Sequence, residues 1–164
     1  MTPPSLCVLD TSVASDLHAA RLWTAVTGLP HAFLIPEPIA TTEFRPADLR
    51  EATRVGVVIE PLSPEELAAA AALTVVYRRP SANDLAALAL AESRGAVLLT
   101  GDGPLRDIAH AESAAVHGVL WLLDALVAAA ILKRAAASAA LQAMLADGSR
   151  LPGDECRRRL RAWT

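Results

Sequence analysis

Four acidic residues stand out because each lies at or near the end of a predicted secondary-structure element. Asp10 follows the apolar run Leu6–Leu9, and Asp102 follows the apolar segment AVLLTG. Asp84 opens a predicted helix, and Glu43 lies in the helix that follows the second predicted strand. In a parallel sheet, ligand sites form outside the carboxyl ends of the strands. One crevice at that edge could therefore collect all four carboxylates.

A cluster of carboxylates needs a neutralising group. Two unit charges about 4 Å apart repel by about 4 kcal/mol at an effective dielectric constant near 20. The chain has a single lysine, Lys133, which is remote in sequence. The negative charge could be neutralised by protonation of some of the acids, by nearby arginines or by divalent cations. Because no histidine or cysteine lies nearby, the oxygen ligands favour Mg²⁺ or Mn²⁺ over zinc, and such ions promote phosphodiester hydrolysis.

The elements that must position these acids alternate between short apolar strands and longer helices. Strands are predicted at Leu6–Leu9, Ala32–Ile35, Gly56–Ile59, Ala96–Leu99 and Ala114–Val116. Helices are predicted near 13–27, 38–54, 64–76, 82–94, 103–112, 119–131, 134–146 and 153–163. This alternation, with uniformly apolar strands, predicts an α/β fold with a parallel sheet covered by helices on both faces. Gly95 is predicted to end the fourth helix, and Ser81 or Asn83 to cap its start.

Length and composition favour one compact domain over residues 1–164. Hydrophobic residues make up 53% of the chain, but many are alanines, which favour helices more than they add buried area. Residues 147–164 are predicted to form a C-terminal helical extension with five arginines against three acids. Cys156, Leu160 and Trp163 form a narrow apolar stripe that would dock this helix.

Several features indicate a cytoplasmic protein without a membrane span. The run from Leu120 to Leu132 is interrupted by Asp124 and is shorter than the roughly 20 apolar residues that a span needs. The N-terminus lacks a basic region and reaches Asp10 too early for a signal peptide. The two cysteines match no metal or redox spacing. The net charge of −3 does not by itself indicate nucleic-acid binding.

The ordered set of motifs resembles the PIN-domain family. The stretches VLDTSV, TTEF and SANDLAALALAESRGAVLLTGDGPLR match that family in order and spacing, and the similarity extends to VHGVLWLLDAL. The tail LADGSRLPGDECRRRLRAW resembles the C-terminal extension of one prokaryotic subgroup related to VapC-type toxins. The resemblance implies a central parallel sheet of about five strands, an acidic pocket and a Mg²⁺- or Mn²⁺-dependent ribonuclease.

Carried over residue by residue, the resemblance assigns six positions. The catalytic, metal-binding acids would be Asp10, Glu43, Asp84 and Asp102, with Ser12 and Thr100 as supporting polar residues. One departure concerns the segment DGPLR, where Pro104 and Leu105 stand in place of the further acid and aromatic of many relatives. Asp107 either substitutes for that acid or is an ordinary acid in the first turn of a helix.

The arginines and histidines have two interpretations each. Arg45, Arg79 and Arg106 lie close in sequence to three of the acids. They either grip RNA phosphates or only offset the carboxylates. His18, His31, His110 and His117 show no metal-ligand spacing and are interpreted as surface or packing residues.

Each acid also has a purely structural interpretation. Asp10 would be a helix N-cap, Asp102 a turn residue, Asp84 an acid in a first helical turn, and Glu43 a surface residue in competition with Glu37.

The leading functional hypothesis is an endoribonuclease, the toxin of a toxin–antitoxin pair, forming a homodimer. The resemblance implies a 5′-phosphate and a 3′-hydroxyl as its products. The alternative is a weak or vestigial binding module that acts through protein partners on its alanine-rich helices, 64–76 and 119–146. A phosphotransfer domain also places Asp at strand ends but requires a nearby lysine, and a DxDx[TS] phosphatase requires Asp where Ser12 stands.

Overall fold

Short strands alternate with helices along residues 5–164, the part of the chain that the computed structural model describes. The predicted domain starts at residue 1, and residues 1–4 lie outside the described residues. The described residues form five strands: β1 (Ser5–Leu9), β2 (His31–Pro36), β3 (Val58–Glu60), β4 (Val97–Leu99) and β5 (Val116–His117). They also form ten helices: α1 (Thr11–Ala19), α2 (Trp23–Val26), α3 (Glu37–Glu43), α4 (Pro46–Arg54), α5 (Pro64–Val76), α6 (Ala82–Arg94), α7 (Gly103–Ala111), α8 (Val119–Ala128), α9 (Arg134–Ala146) and α10 (Gly153–Trp163).

The strands pair in the order β3-β2-β1-β4-β5, and every pairing is parallel. From β1 the chain adds β2 and β3 on one side and then β4 and β5 on the other. The strand order therefore reverses between β1 and β4, which is where ligand sites form in such sheets. Leu9 pairs with Leu99, and the N–H of Asp10 donates a hydrogen bond of 2.9 Å to the carbonyl oxygen of Leu99. Asp10 is thereby fixed at this reversal.

The sheet is covered on both faces, as predicted. Cys7, Val8 and Leu9 in β1 are fully buried. Because successive side chains of a strand point to opposite faces, both sides of β1 must be covered. The helix α6 packs on β1, β2 and β4, whereas α1 packs on β1 and on the helices α8 and α9. The predicted α/β fold with a parallel sheet of five strands is confirmed.

Two predicted helices are each divided in the structure. The helix predicted at 13–27 breaks into α1 and α2, with Arg21 at a φ of 56°, which is uncommon for a residue other than glycine. The helix predicted at 38–54 breaks into α3 and α4. Arg45 is extended because it precedes Pro46, and a residue before proline is disfavoured in the helical region. This second break leaves Glu43 at the exposed end of α3.

The ends of α6 follow the predicted signals. Ser81, and not Asn83, is the N-cap: its Oγ accepts a hydrogen bond of 3.1 Å from the N–H of Asp84. Gly95 ends the helix in the left-handed conformation at a φ of 60°, which glycine adopts without strain. The helix therefore starts beside the predicted acids and ends at the opposite edge of the sheet.

The C-terminal helix α10 packs against α9 through the predicted stripe. Cys156 and Trp163 are buried, and Leu160 is partly buried against the core. Across the described residues, no helix combines the length and the apolar character that crossing a bilayer requires.

Candidate functional site

Asp10 is a buried carboxylate whose two oxygens differ. It follows β1 directly and is only 2% exposed. Its Oδ2 accepts a hydrogen bond of 2.7 Å from the hydroxyl of Thr100 and a longer one of 3.4 Å from that of Ser12. Its Oδ1 is buried and has no hydrogen-bond partner. Asp10 occupies the N-cap position of α1, but its side chain makes no capping hydrogen bond. The interpretation of Asp10 as a helix cap therefore fails.

Burial raises the pKa of Asp10 to about 6. The hydrogen bond from Thr100 opposes this shift, and the negative charges of Asp84 and Asp102 reinforce it. Charges raise a neighbour's pKa in this way only at short range. Asp84 at the start of α6 and Asp102 in the loop after β4 therefore lie near enough to Asp10 at the end of β1 for their charges to act on it.

Thr100 connects two of these acids. Its hydroxyl donates to Asp10 Oδ2 and accepts a hydrogen bond of 3.1 Å from the N–H of Asp102, and its side chain is fully buried. Ser12 makes a similar link, because its Oγ accepts from the N–H of Gly101 at 2.9 Å. Both predicted supporting residues therefore hold the loop after β4 against Asp10.

We expect the variant Thr100→Val to raise the pKa of Asp10 further. A hydrogen bond to a charged group is worth about 1.5–3 kcal/mol, so loss of the donor should raise this pKa by about 1–2. Thr100→Ser keeps the hydroxyl and should leave the pKa near that of the wild type. Titration of the Asp10 side-chain carboxyl by carbon NMR measures both values. An unchanged pKa in Thr100→Val would show that the hydroxyl does not donate to Asp10.

Asp102 and Asp84 also have structural roles. Asp102 is the N-cap of α7, and its Oδ2 accepts a hydrogen bond of 3.1 Å from the N–H of Leu105. Asp84 Oδ2 accepts a hydrogen bond of 2.9 Å from the N–H of Ser81, which completes a capping box. These bonds fix one oxygen of each carboxylate and anchor both side chains beside Asp10.

Glu43 lies at the margin of this cluster. It is exposed at the end of α3, and its Oε1 accepts a hydrogen bond of 3.0 Å from the side-chain amide of Asn83. The same amide donates to the hydroxyl of Thr42 at 2.7 Å. Asn83 directly precedes Asp84, so it ties Glu43 to the start of α6. The sequence predicts Asn83 only as a candidate helix cap. No local sequence pattern indicates that it bridges Thr42 and Glu43.

The three predicted arginines have different environments. Arg45 is exposed and forms an ion pair with Asp48 at 3.1 Å. Arg79 is exposed on the loop between α5 and α6. Arg106 is half-buried, and its Nη2 donates a hydrogen bond of 3.0 Å to the carbonyl oxygen of Thr100. Of the three, Arg106 is the one held directly against the residues that surround Asp10.

A further buried acid, Asp16 in α1, was not among the predicted site residues. It is 7% exposed, and burial raises its pKa to about 6. A hydrogen bond with Ser149 opposes that shift, and repulsion from Asp147 adds to it. Asp16 lines a cavity of about 330 Å³ together with Ser12 and Asp102. A lone acid in a helix has no pattern that would have identified it.

Asp107 lies one turn into α7 and is exposed. It lines a larger cleft beside β5, which Asp10, Asp84 and Asp102 do not line. Pro104 is exposed next to Gly103 at the start of the same helix. Asp107 therefore does not line the cavity that Asp102 lines, and it does not compensate there for the departure at Pro104.

The residues fit a hydrated cation better than one enclosed by protein ligands. Over residues 5–164, no three His, Cys, Asp or Glu side chains are close enough to hold an ion between them. Mg²⁺ commonly keeps several waters and uses one or two carboxylates. The unpartnered Oδ1 of Asp10 could supply one such carboxylate ligand, and the charges of Asp84 and Asp102 would attract the hydrated ion.

Comparison with known proteins agrees with this geometry. A family model described as a PIN domain matches residues 6–164. A comparison with curated proteins found no match. PIN domains are in general nucleases, hydrolases that act on nucleic acids and typically use divalent metals. Because the match extends from β1 through α10, and so contains the whole sheet and its acidic edge, this chain belongs to the PIN-domain family.

Proposed function

We propose that this protein is a divalent-metal-dependent endoribonuclease. The observation that carries the proposal is the Asp10 carboxylate, which is buried, repelled by Asp84 and Asp102, and left with one unpartnered oxygen. A protein keeps a destabilising group of this kind where its function requires it. A divalent cation would relieve the repulsion and satisfy the open oxygen.

The residues have distinct roles in this proposal. Asp10 would bind the cation directly through its unpartnered oxygen, Asp84 and Asp102 would contact the waters that the cation keeps, and Glu43 would contribute from the margin through its link to Asn83. Mg²⁺ or Mn²⁺, when bound, supplies Lewis-acid activation of the phosphodiester and of the attacking water. Ser12 and Thr100 hold the Asp10 carboxylate in a fixed orientation. The products would be a 5′-phosphate and a 3′-hydroxyl, as the family resemblance implies.

The arginines would bind the RNA backbone. Arg106 lies against the carbonyl of Thr100 and is the first candidate for a phosphate next to the scissile bond. Arg79 is exposed beside the start of α6 and would contact phosphates further along the strand. Arg45 would first have to release Asp48.

The biological role that we propose is that of the toxin in a toxin–antitoxin pair in the cytoplasm. The resemblance of the C-terminal extension to a subgroup related to VapC-type toxins supports it. Leu67, Val75 and Val76 on α5 are exposed apolar side chains that would contact an antitoxin or a second copy in a homodimer. A small DNA-binding protein encoded directly upstream would support this role.

A second candidate is a vestigial binding module. Two observations favour it: Pro104 replaces a further acid, and within residues 5–164 no three metal-ligating side chains are assembled. Calorimetric titration with Mn²⁺ separates the two candidates. A functional site gives heat of binding that Asp10→Asn abolishes, and a vestigial site gives none.

Cleavage of a circular RNA tests the endoribonuclease directly. We expect Mn²⁺ or Mg²⁺ to linearise the circle, since a circle has no ends for an exonuclease, and we expect EDTA to stop the reaction. End-group analysis of the linear product identifies the 5′-phosphate and the 3′-hydroxyl. Linearisation that persists in EDTA would contradict the metal-dependent mechanism, and an intact circle with either metal would contradict the activity.

A further inference from the structure

A cleft next to the acidic cluster has no role in the proposed function. It has a volume of about 670 Å³, within the range of small-molecule sites, about 300–1,000 Å³. It opens at the carboxyl ends of β4 and β5, between α7, α8 and the segment that leads into α10.

The cleft adjoins the acidic cluster. Gly101 and Gly103, the two neighbours of Asp102, line it. Gly101, Arg150 and Leu151 line both this cleft and the 330 Å³ cavity that Asp102 and Ser12 line. The two cavities therefore share a wall next to Asp102.

One wall of the cleft is aromatic. The rings of His117 and Trp121 are stacked, with centroids 4.4 Å apart and planes at 5°. His117 is exposed, so its ring extends the aromatic surface into the cleft. Partial burial and the nearby charge of Arg106 lower the pKa of His117, which favours the neutral form of its ring. A neutral, stacked pair of this kind is suited to a nucleobase.

Two guanidinium groups stand on the side nearest the acidic cluster. Arg106 Nε is buried and has no partner, and Arg150 is exposed and makes no ion pair with any described residue. Gly118 lets Arg106 lie there, because a Cβ at that position would be 2.8 Å from Arg106 Nη2. On the far side, Arg159 is neutralised by Asp124 through bonds of 2.6 and 2.9 Å. Arg106 and Arg150 thus supply positive charge next to Gly101, whereas Asp107, Asp124 and Glu155 are the acids that line the cleft.

We propose that this cleft binds one unpaired nucleotide of the substrate beside the scissile phosphodiester. Its base stacks on the His117–Trp121 pair, and its phosphate binds Arg106 and Arg150. A paired base would remain within its helix and could not reach the aromatic wall, so the cleft selects single-stranded RNA. The inference rests on the proposed function, since it assigns part of the same substrate, and it makes the C-terminal segment part of the substrate site.

Titration of the Asp10→Asn protein with AMP in EDTA tests the cleft without cleavage. Trp23 and Trp163 are buried and Trp121, which stacks on His31 and His117, is half-buried, so quenching of tryptophan fluorescence reports binding next to Trp121. We expect AMP and an eight-nucleotide single-stranded RNA to quench the fluorescence in a saturable way. Neither the RNA duplex of the same sequence nor inorganic phosphate should quench it. Arg150→Ala should weaken AMP binding about 10-fold, as loss of a charge-assisted hydrogen bond predicts.

Substitution of two exposed residues, Arg158 and His117, provides a control variant and a second test variant. Arg158→Ala removes an exposed arginine of α10 that does not line the cleft, and it should leave AMP binding unchanged. His117→Ala should weaken binding of AMP without unfolding the protein, because His117 is exposed. The proposal would be overturned if the Arg150→Ala and Arg158→Ala proteins bound AMP with equal affinity, or if His117→Ala left the affinity for AMP unchanged. Quenching by phosphate alone or by the duplex would also overturn it.

The outcome is distinguishable from failure of the nuclease proposal. If the circular RNA is cleaved but AMP does not bind, the nucleotide site is wrong and the nuclease stands. If AMP binds as described but RNA stays intact with Mn²⁺ and Mg²⁺, the nucleotide site stands and the nuclease is wrong.

Discussion

Asp10→Asn should lower the rate of RNA cleavage by at least about 10³-fold and, in the same protein, raise the free energy of unfolding at neutral pH. The loss of activity follows because the variant removes the carboxylate whose unpartnered oxygen is proposed to bind the cation. Lewis-acid activation by a bound metal is worth several kcal/mol in the transition state, and about 4 kcal/mol corresponds to 10³ in rate.

The gain in stability follows from the pKa of Asp10. This pKa rises from its ordinary value of 3.8 to about 6 on folding, so the charged form costs about 3 kcal/mol in the folded state. For a carboxyl whose pKa is raised, this cost is fully present above pH 6 and disappears as the pH falls toward 4. Asparagine keeps the acceptor for Thr100 and carries no charge. We therefore expect a gain of about 1–3 kcal/mol at pH 7.5 and none at pH 4.

Urea unfolding in EDTA at the two pH values measures this gain, and the melting temperature with and without Mg²⁺ measures metal binding. Saturating metal should stabilise the wild type and leave Asp10→Asn unchanged. Asp16→Asn is the matched control, because Asp16 is also buried with a pKa near 6 but is repelled by Asp147 instead of Asp84 and Asp102. It should gain stability and keep both the Mg²⁺ response and the cleavage activity.

Two results would contradict this account. A lower stability of Asp10→Asn at pH 7.5 would mean that the Asp10 carboxylate is already satisfied within the protein. An equal Mg²⁺ response in Asp10→Asn and the wild type would place the cation elsewhere.

The position of Asp10 was predictable because it depends on the backbone alone. Uniformly apolar strands separated by helices imply a parallel sheet, and such a sheet gathers the residues that follow its strands. Asp10 and Asp102 could therefore be placed at the same edge of the sheet without knowledge of side-chain contacts. The boundaries of β1 and β4 differ from the predicted ones by a single residue each.

What the sequence did not predict depends on contacts between distant residues. The hydrogen bond of Thr100 to Asp10 spans 90 residues, and that of Asn83 to Glu43 spans 40. No local pattern distinguishes these polar residues from others at helix ends. The break before Pro46, by contrast, was predictable in principle, because the residue before a proline avoids the helical region.

Glu66 is the clearest example of a residue whose role only the fold reveals, and it carries the second large prediction. It lies near the start of the alanine-rich α5 and is only 3% exposed. Its oxygens accept hydrogen bonds of 2.8 and 3.1 Å from Arg94 and one of 2.8 Å from the N–H of Ser63. Arg94 also pairs with Glu60 at 3.0 Å. These bonds join the end of β3, the start of α5 and the end of α6.

Glu66→Gln should lower the free energy of unfolding by about 3 kcal/mol at pH 7. The guanidinium of Arg94 is the main cause of the lowered pKa of Glu66, which falls from 4.5 to about 2 on folding. For a carboxyl whose pKa is lowered, the stabilisation is present above pH 4.5 and is lost as the pH falls toward 2. The wild type should therefore lose stability between pH 4.5 and 2 more steeply than Glu66→Gln. Urea unfolding at pH 7 and at pH 3 measures both effects.

Glu65→Gln is the matched control, since Glu65 precedes Glu66 in the same helical turn but is exposed. It should change stability by less than about 0.5 kcal/mol and leave the acid dependence as in the wild type. A loss in Glu66→Gln as small as that in Glu65→Gln would mean that desolvation of Glu66 and Arg94 cancels their attraction. The hydrogen bonds between Glu66 and Arg94 lie at the C-terminal end of α6, whereas Asp84 lies at its N-terminal end. Folded Glu66→Gln should therefore keep the cleavage activity of the wild type, because the start of α6 is held separately by Ser81 and by the bond of Asn83 to Glu43.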